Sequence, residues 1–131
     1  MEWITWGDHL RLGHEVIDGD HQRLVTIINQ LADSVINPTG QHEDEELLAE
    51  FLAQTSRHFA AEDQLMVEHR YPRAAEHMAE HAILIQAALD TQAEFAAHLS
   101  TTVSLLRFLR KWLTHHILTA DKDLEDYLVL R

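Results

Sequence analysis

The sequence contains no cysteine. That removes disulfides, thiolate metal sites, cysteine nucleophiles and cysteine-bound iron–sulfur clusters. Basic residues are scarce, with 10 Lys and Arg against 22 Asp and Glu, a formal charge of −12. Nucleic acid and anionic lipid are disfavoured as partners, since both need positive patches. Only 2 prolines and 4 glycines punctuate 131 residues, and no segment shows the apolar–polar alternation of a half-buried strand. No apolar run approaches the ~18 residues of a membrane span. The first ten residues lack the basic-then-apolar order of a signal peptide. A cytoplasmic protein with one domain over residues 1–131 and no membrane insertion is therefore expected. No Gly-rich phosphate loop, His-Glu-x-x-His or Glu-x-x-His pair occurs. At 46% apolar residues the chain is still too hydrophobic to be a disordered acidic tail.

What is present is helical periodicity. Leu24, Val25, Ile27, Ile28, Leu31 and Val35 mark a helix over residues 18–37, with Asp18 as its acidic cap. Asn37-Pro-Thr-Gly40 stops it, and a second run occupies residues 43–69. Tyr71-Pro72 breaks that run, with Pro72 suited to the first turn of a third helix over residues 72–97. A fourth follows over residues 102–118, capped within Ser100-Thr-Thr102, and a short terminal helix over residues 121–129. Residues 1–17 read as an arm packed by Trp3 and Trp6. Long helices with short loops predict an all-α, antiparallel up-down-up-down four-helix bundle. The acidic run from His42 to Glu46 reads as the solvated start of the second helix.

The chain also has 11 histidines. At about 100° per residue, His77 and His81 share the core face of the third helix, and His58 and Glu62 that of the second. His21 lies beside Val25 and Ile28. On the fourth helix His116 lies opposite the polar stripe of Arg107, Arg110, Lys111 and Thr114, and His115 lies on its flank. Five imidazoles and a carboxylate thus point inward. Left unpartnered, each would cost roughly 1–3 kcal/mol against a total stability of about 5–15 kcal/mol. A metal centre resolves this, because it takes neutral imidazoles and ionised carboxylates as ligands. The donor count exceeds one zinc site and suggests two ions. Iron, copper, zinc and nickel all suit imidazole, and bridging carboxylates favour iron. Asp121, five residues after His116, can join only if the helix breaks or unwinds near Thr119-Ala120; otherwise it caps the terminal turn.

The residues resemble the hemerythrin family, in its bacterial branch. The resemblance is carried by Trp6, Ile17-Asp18-x-x-His21-x-x-Leu24-Val25, His58-Phe59-x-x-Glu62-x-x-Leu65-Met66, Tyr71-Pro72-x-x-x-Glu76-His77-x-x-Glu80-His81 and Trp112-Leu113-x-x-His116-Ile117-x-x-x-Asp121-Lys122. It implies a non-heme di-iron centre bridged by Glu62, Asp121 and an oxo or hydroxo group. His77, His81 and His116 would hold one iron, and His21 and His58 the other, which is open to dioxygen. Phe59, Trp112, Leu113 and Ile117 match an apolar oxygen pocket. The implied function is reversible dioxygen binding for storage, transport or delivery, with no enzymatic role and with an unidentified protein recipient or reductant. A sensor acting through a partner, or an enzyme consuming peroxide or nitric oxide, are the alternatives. Two positions depart from the pattern. Asp20 stands where glutamine is frequent, and is expected to affect only the start of the helix. Leu124 stands where tyrosine is frequent, which removes a hydroxyl near the centre. His9, His14, His42, His69, His98 and His115 are assigned to surface or loops, with His69 expected half-buried at a helix end.

Overall fold

The computed structural model describes residues 3–7 and 9–129; residues 1, 2 and 8 of the expected arm, and 130 and 131, lie outside the described residues. The elements are α1 (Glu15–Ile36), α2 (Gln41–Glu68), α3 (Ala74–Ala96), α4 (Thr102–His116), a π-helical turn (Ile117–Asp121) and α5 (Lys122–Val129). Helices α1 to α4 pack as a closed ring, each against its two neighbours. This is the all-α antiparallel bundle that periodicity predicts. Among the described residues there is no strand, and no helix is long and apolar enough to cross a membrane.

One end of the interior is carbon. Leu24, Ile28, Leu31, Leu48, Phe51, Leu105, Leu106 and Leu109 are all buried there. The arm closes over it: Trp3 Nε1 donates to the Leu106 carbonyl at 3.0 Å, and the Asn29 side chain accepts from Trp3 N and Ile4 N and donates to the Ile4 carbonyl. A smaller cluster of Met66, Tyr71 and Leu124 sits against α5.

Several boundaries differ from the periodicity reading. Helix α1 begins at Glu15, and His14, not Asp18, caps it by accepting from Ile17 N at 3.4 Å. Asp18 lies inside the first turn, where its carboxylate accepts from Leu12 N at 2.8 Å and Gly13 N at 2.9 Å. That clamp folds the arm back, at a glycine whose φ of +109° suits no side chain. Pro72 precedes α3 instead of entering it. Helix α2 ends with Arg70 in the left-handed region (φ 51°) and Tyr71 N bonded to the Met66 carbonyl at 2.9 Å. This is a Schellman closure, and it requires a turn before Ala74. Helix α3 ends in the same way at His98, with φ 59° and Leu99 N on the Glu94 carbonyl. His69, expected half-buried, is exposed at the C-cap of α2. Asp44 leaves the solvated acidic run: it is buried and accepts from Thr102 Oγ1 at 3.1 Å, tying the start of α2 to that of α4.

Glu125 on α5 is buried beneath the arm, with neither carboxylate oxygen hydrogen-bonded. Burial first, then the charges of Asp18, Asp126, Glu62 and Asp121, push its pKa from 4.5 up to about 7. Below the unfolded value the group is protonated in both states and has no effect. Between 4.5 and 7 only the unfolded chain ionises, so stability falls as pH rises, and above 7 the penalty is constant. Glu125→Gln is expected to melt like the parent at pH 4 and to exceed it by about 2–3 kcal/mol at pH 8 in denaturant titrations of the metal-free protein.

Candidate metal centre

All four bundle helices contribute to one buried polar cluster. Helix α1 supplies His21; α2 supplies His58 and Glu62 at i, i+4; α3 supplies His77 and His81 at i, i+4; α4 and the π turn supply His116 and Asp121. The i, i+4 spacings place each pair on one helical face. His116 and Asp121 are five apart, a spacing that a regular helix turns to the wrong side. The π turn widens the helix by one residue between them and returns Asp121 to the interior. The unwinding anticipated near Thr119-Ala120 is thus a π turn, not a break. All seven predicted residues are brought together, each at most 4% exposed, whereas His115 is exposed.

The two carboxylates organise the cluster, because each divides its oxygens between two groups of imidazoles. Asp121 Oδ1 lies 3.1 Å from His77 Nε2 and 3.0 Å from His116 Nε2, while its Oδ2 lies 2.8 Å from His21 Nε2. Glu62 Oε1 lies 2.9 Å from His81 Nε2 and 3.4 Å from His77 Nε2, while its Oε2 lies 3.2 Å from His58 Nε2. Two donor sets result, one of Glu62, His77, His81, His116 and Asp121, the other of His21, His58, Glu62 and Asp121.

Several of these atoms are close without being aligned as donor and acceptor. His58 Nε2, Glu62 Oε2 and His116 Nε2 are buried and make no hydrogen bond, despite the 3.2 Å and 3.0 Å approaches just given. Nitrogen and oxygen atoms that converge but do not bond one another fit shared cations between them. The all-nitrogen-and-oxygen donor set suits first-row divalent ions of the iron to zinc series.

Behind the imidazoles stand three carboxylates that periodicity overlooked. His58 Nδ1 donates to Asp20 Oδ2 at 2.9 Å, His81 Nδ1 to Asp63 Oδ1 at 3.0 Å, and His116 Nδ1 to Glu80 Oε1 at 3.0 Å. Each bond fixes its ring so that Nε2 faces the cluster. Asp20 therefore does more than start a helix. It is buried, bonds His58 and also accepts from Arg23. Its pKa is lowered chiefly by the His58 hydrogen bond, against the cost of burial. The signal for all three was adjacency: each flanks a cluster residue in the chain, at His21, Glu62 and His81.

In the metal-free protein the cluster neutralises itself. Burial alone would depress the His58 pKa, but the carboxylates of Asp121, Asp20 and Glu62 outweigh it and hold the value at about 11. For His77 the same contest, against Asp121 and Glu62, ends at about 9. Burial and the Asp121 charge push Glu62 up, yet the adjoining imidazoles of His58, His77 and His81 bring it to about 2. Asp121 is held well below the carboxylate range by His116, His21, His58 and His77, despite complete burial.

Phe59, Trp112, Leu113 and Ile117 are all buried. Phe59 stacks on His81 with centroids 3.8 Å apart, and Trp112 lies 6.0 Å from Phe59 and donates Nε1 to the Leu84 carbonyl. Leu124 is fully buried against Met66 and Tyr71, and presents no polar atom where a tyrosine would.

Fold and site together define an all-α bundle with a buried histidine–carboxylate cation site. The chain belongs to the hemerythrin family: the profile described as Hemerythrin HHE cation binding domain matches residues 12–128. A bacteriohemerythrin from Stenotrophomonas maltophilia (strain R551-3) is 32% identical over 96% of this chain and 82% of its own length. Bacteriohemerythrin from Pseudomonas aeruginosa (strain LESB58) is 31% identical over the same shares. A crystal structure of wild-type hemerythrin superposes with a TM-score of 0.86 at 26% identity, covering 96% of this chain and 98% of that one.

Asp20→Ala should lower iron affinity about 10–100-fold in chelator competition by freeing the His58 ring. His115→Ala should bind iron as the parent does, and a loss there would overturn the choice of His116.

Proposed function

We propose that this protein binds dioxygen reversibly at two iron ions held in the bundle core, as a cytoplasmic carrier, store or delivery module and not as an enzyme. One observation supports the reading above others: two buried carboxylates divide their oxygens between a group of three imidazoles and a group of two. His77, His81 and His116 would hold one iron, His21 and His58 the other, and Glu62 and Asp121 would bridge them. The first position has three imidazoles and two carboxylate oxygens; the second has one donor fewer and is the open one. Ferrous iron supplies the two electrons that dioxygen accepts on binding. The chain's part is to keep that place dry. Phe59, Trp112, Leu113 and Ile117 are buried carbon surfaces that exclude water, and exclusion disfavours the charge separation by which a reduced ligand would escape. None of these four carries an acid to drive onward chemistry. A protein reductant or recipient completes the reading, with no nucleic acid partner.

Metal analysis is expected to give about two irons per chain, since the donors form two sets. The anaerobic ferrous protein should gain a visible charge-transfer band in air and lose it on deoxygenation; irreversible bleaching would overturn the reading. Loading must also displace protons, because His58 and His77 hold theirs to about 11 and about 9 in the metal-free chain. Apparent iron affinity should therefore rise from pH 6 to pH 9, with proton release recorded in a pH-stat.

A further inference from the structure

Thr55 is fully buried on α2, and its hydroxyl has no hydrogen-bond partner. Other helical threonines here show what that hydroxyl ordinarily does. Thr26, Thr91 and Thr119 donate Oγ1 to the carbonyl four residues earlier, at 3.0, 2.9 and 2.7 Å. Thr55 makes no such bond, although it is the most buried of the four. A buried hydroxyl turned away from its own helix bears the whole desolvation cost unless something else accepts from it.

Its place in the fold says what that acceptor is. Thr55, His58, Phe59 and Glu62 follow at i, i+3, i+4 and i+7, one stripe along α2, so the Cβ of Thr55 is about 5–6 Å from those of His58 and Phe59. Helical side chains lean toward the N-terminus, which brings the His58 and Phe59 rings over the turn that carries Thr55. Trp112 closes the other side. Its ring is 5.5 Å from Phe51 and 6.0 Å from Phe59, the residues four before and four after Thr55. The hydroxyl therefore lies on the stripe of α2 that carries His58 and Phe59, the ring that stacks on His81 and adjoins Trp112.

We propose that Thr55 Oγ1 is the hydrogen-bond donor to the dioxygen-sized ligand of this pocket, and so a residue that sets how long the ligand stays. This rests on the dioxygen reading. A ligand oxygen that gains negative charge on binding is a strong acceptor, and a hydroxyl in an otherwise carbon-lined pocket favours it without supplying a mobile proton.

The test uses Thr55→Val, which keeps the shape and removes the hydroxyl, and Thr55→Ser, which keeps the hydroxyl. In the metal-free protein Thr55→Val should raise Tm, because a methyl replaces an unpaired hydroxyl; a lower Tm would mean that the hydroxyl has a partner within the protein, and would overturn the proposal. In the iron-loaded protein, with iron content equal to the parent, Thr55→Val should release dioxygen about tenfold faster in stopped flow, and Thr55→Ser within about twofold of the parent. Equal release by Thr55→Val and a reversibly binding parent would refute the role of Thr55 alone. A parent that shows no reversible band would instead remove the dioxygen reading, and this proposal with it.

Discussion

Two carboxylates with no exposure to water, Glu62 and Asp121, set the terms for the rest of the molecule. A buried charge is tolerated only where opposite charge or dense hydrogen bonding surrounds it. Among the described residues neither pairs with a Lys or Arg; their ionic partners are imidazoles, drawn from every bundle helix. The helices are consequently held in one register. A slide of one turn along any of them would withdraw a histidine from a carboxylate that cannot be left alone. The same requirement would act on the cluster before any cation binds. Protons on His58 and His77 do provisionally what cations do when bound, and the carboxylates remain ionised in both states.

Charge then decreases outward in steps. Asp20, Asp63 and Glu80 receive the outer nitrogens of His58, His81 and His116, and they reach from the buried interior to the half-exposed surface. A cation held there would meet carboxylates first directly and then through imidazole, whose inner nitrogens these outer bonds make more basic. Part of the −12 formal charge belongs to this arrangement, so acidity here serves the interior as well as solubility. Among the described residues, His21 and His77 have no such carboxylate behind them, and His21 is the more deeply buried of the two. The outer nitrogen of His21 is buried and has no hydrogen-bond partner, so on the two-imidazole side one ring is tied back and the other is not.

Periodicity made the inward faces legible, because the bundle is regular where it matters: His58, Glu62, His77 and His81 fall where about 100° per residue puts them, and the choice of His116 over His115 follows from the polar stripe opposite. Regularity also marks where the method stops. Asp121 could not be placed, since a π turn adds a residue that no pattern of apolar side chains encodes. Asp18 looked like a cap because caps and loop clamps use the same carboxylate chemistry, and only the fold of Leu12 and Gly13 distinguishes them. Asp20 stood out only as a departure from the family pattern; its role depends on His58, 38 residues away and on another helix.

The asymmetry of the site has its origin in α1. Helices α2 and α3, and α4 with its π turn, each provide two inward donors one turn apart, whereas α1 provides His21 alone. An eighth donor one turn from His21 would stand at Ile17 or Val25, and both positions are carbon, buried at 1% and 2% exposure. Neither side chain can coordinate a cation, and both are held by packing, so the shortfall cannot be repaired by a rotamer change. On the proposed reading, the open place beside His21 and His58 would follow from which residues α1 commits to the core. The buried carbon of Val25, Phe59 and Trp112 would disfavour water as the missing donor there.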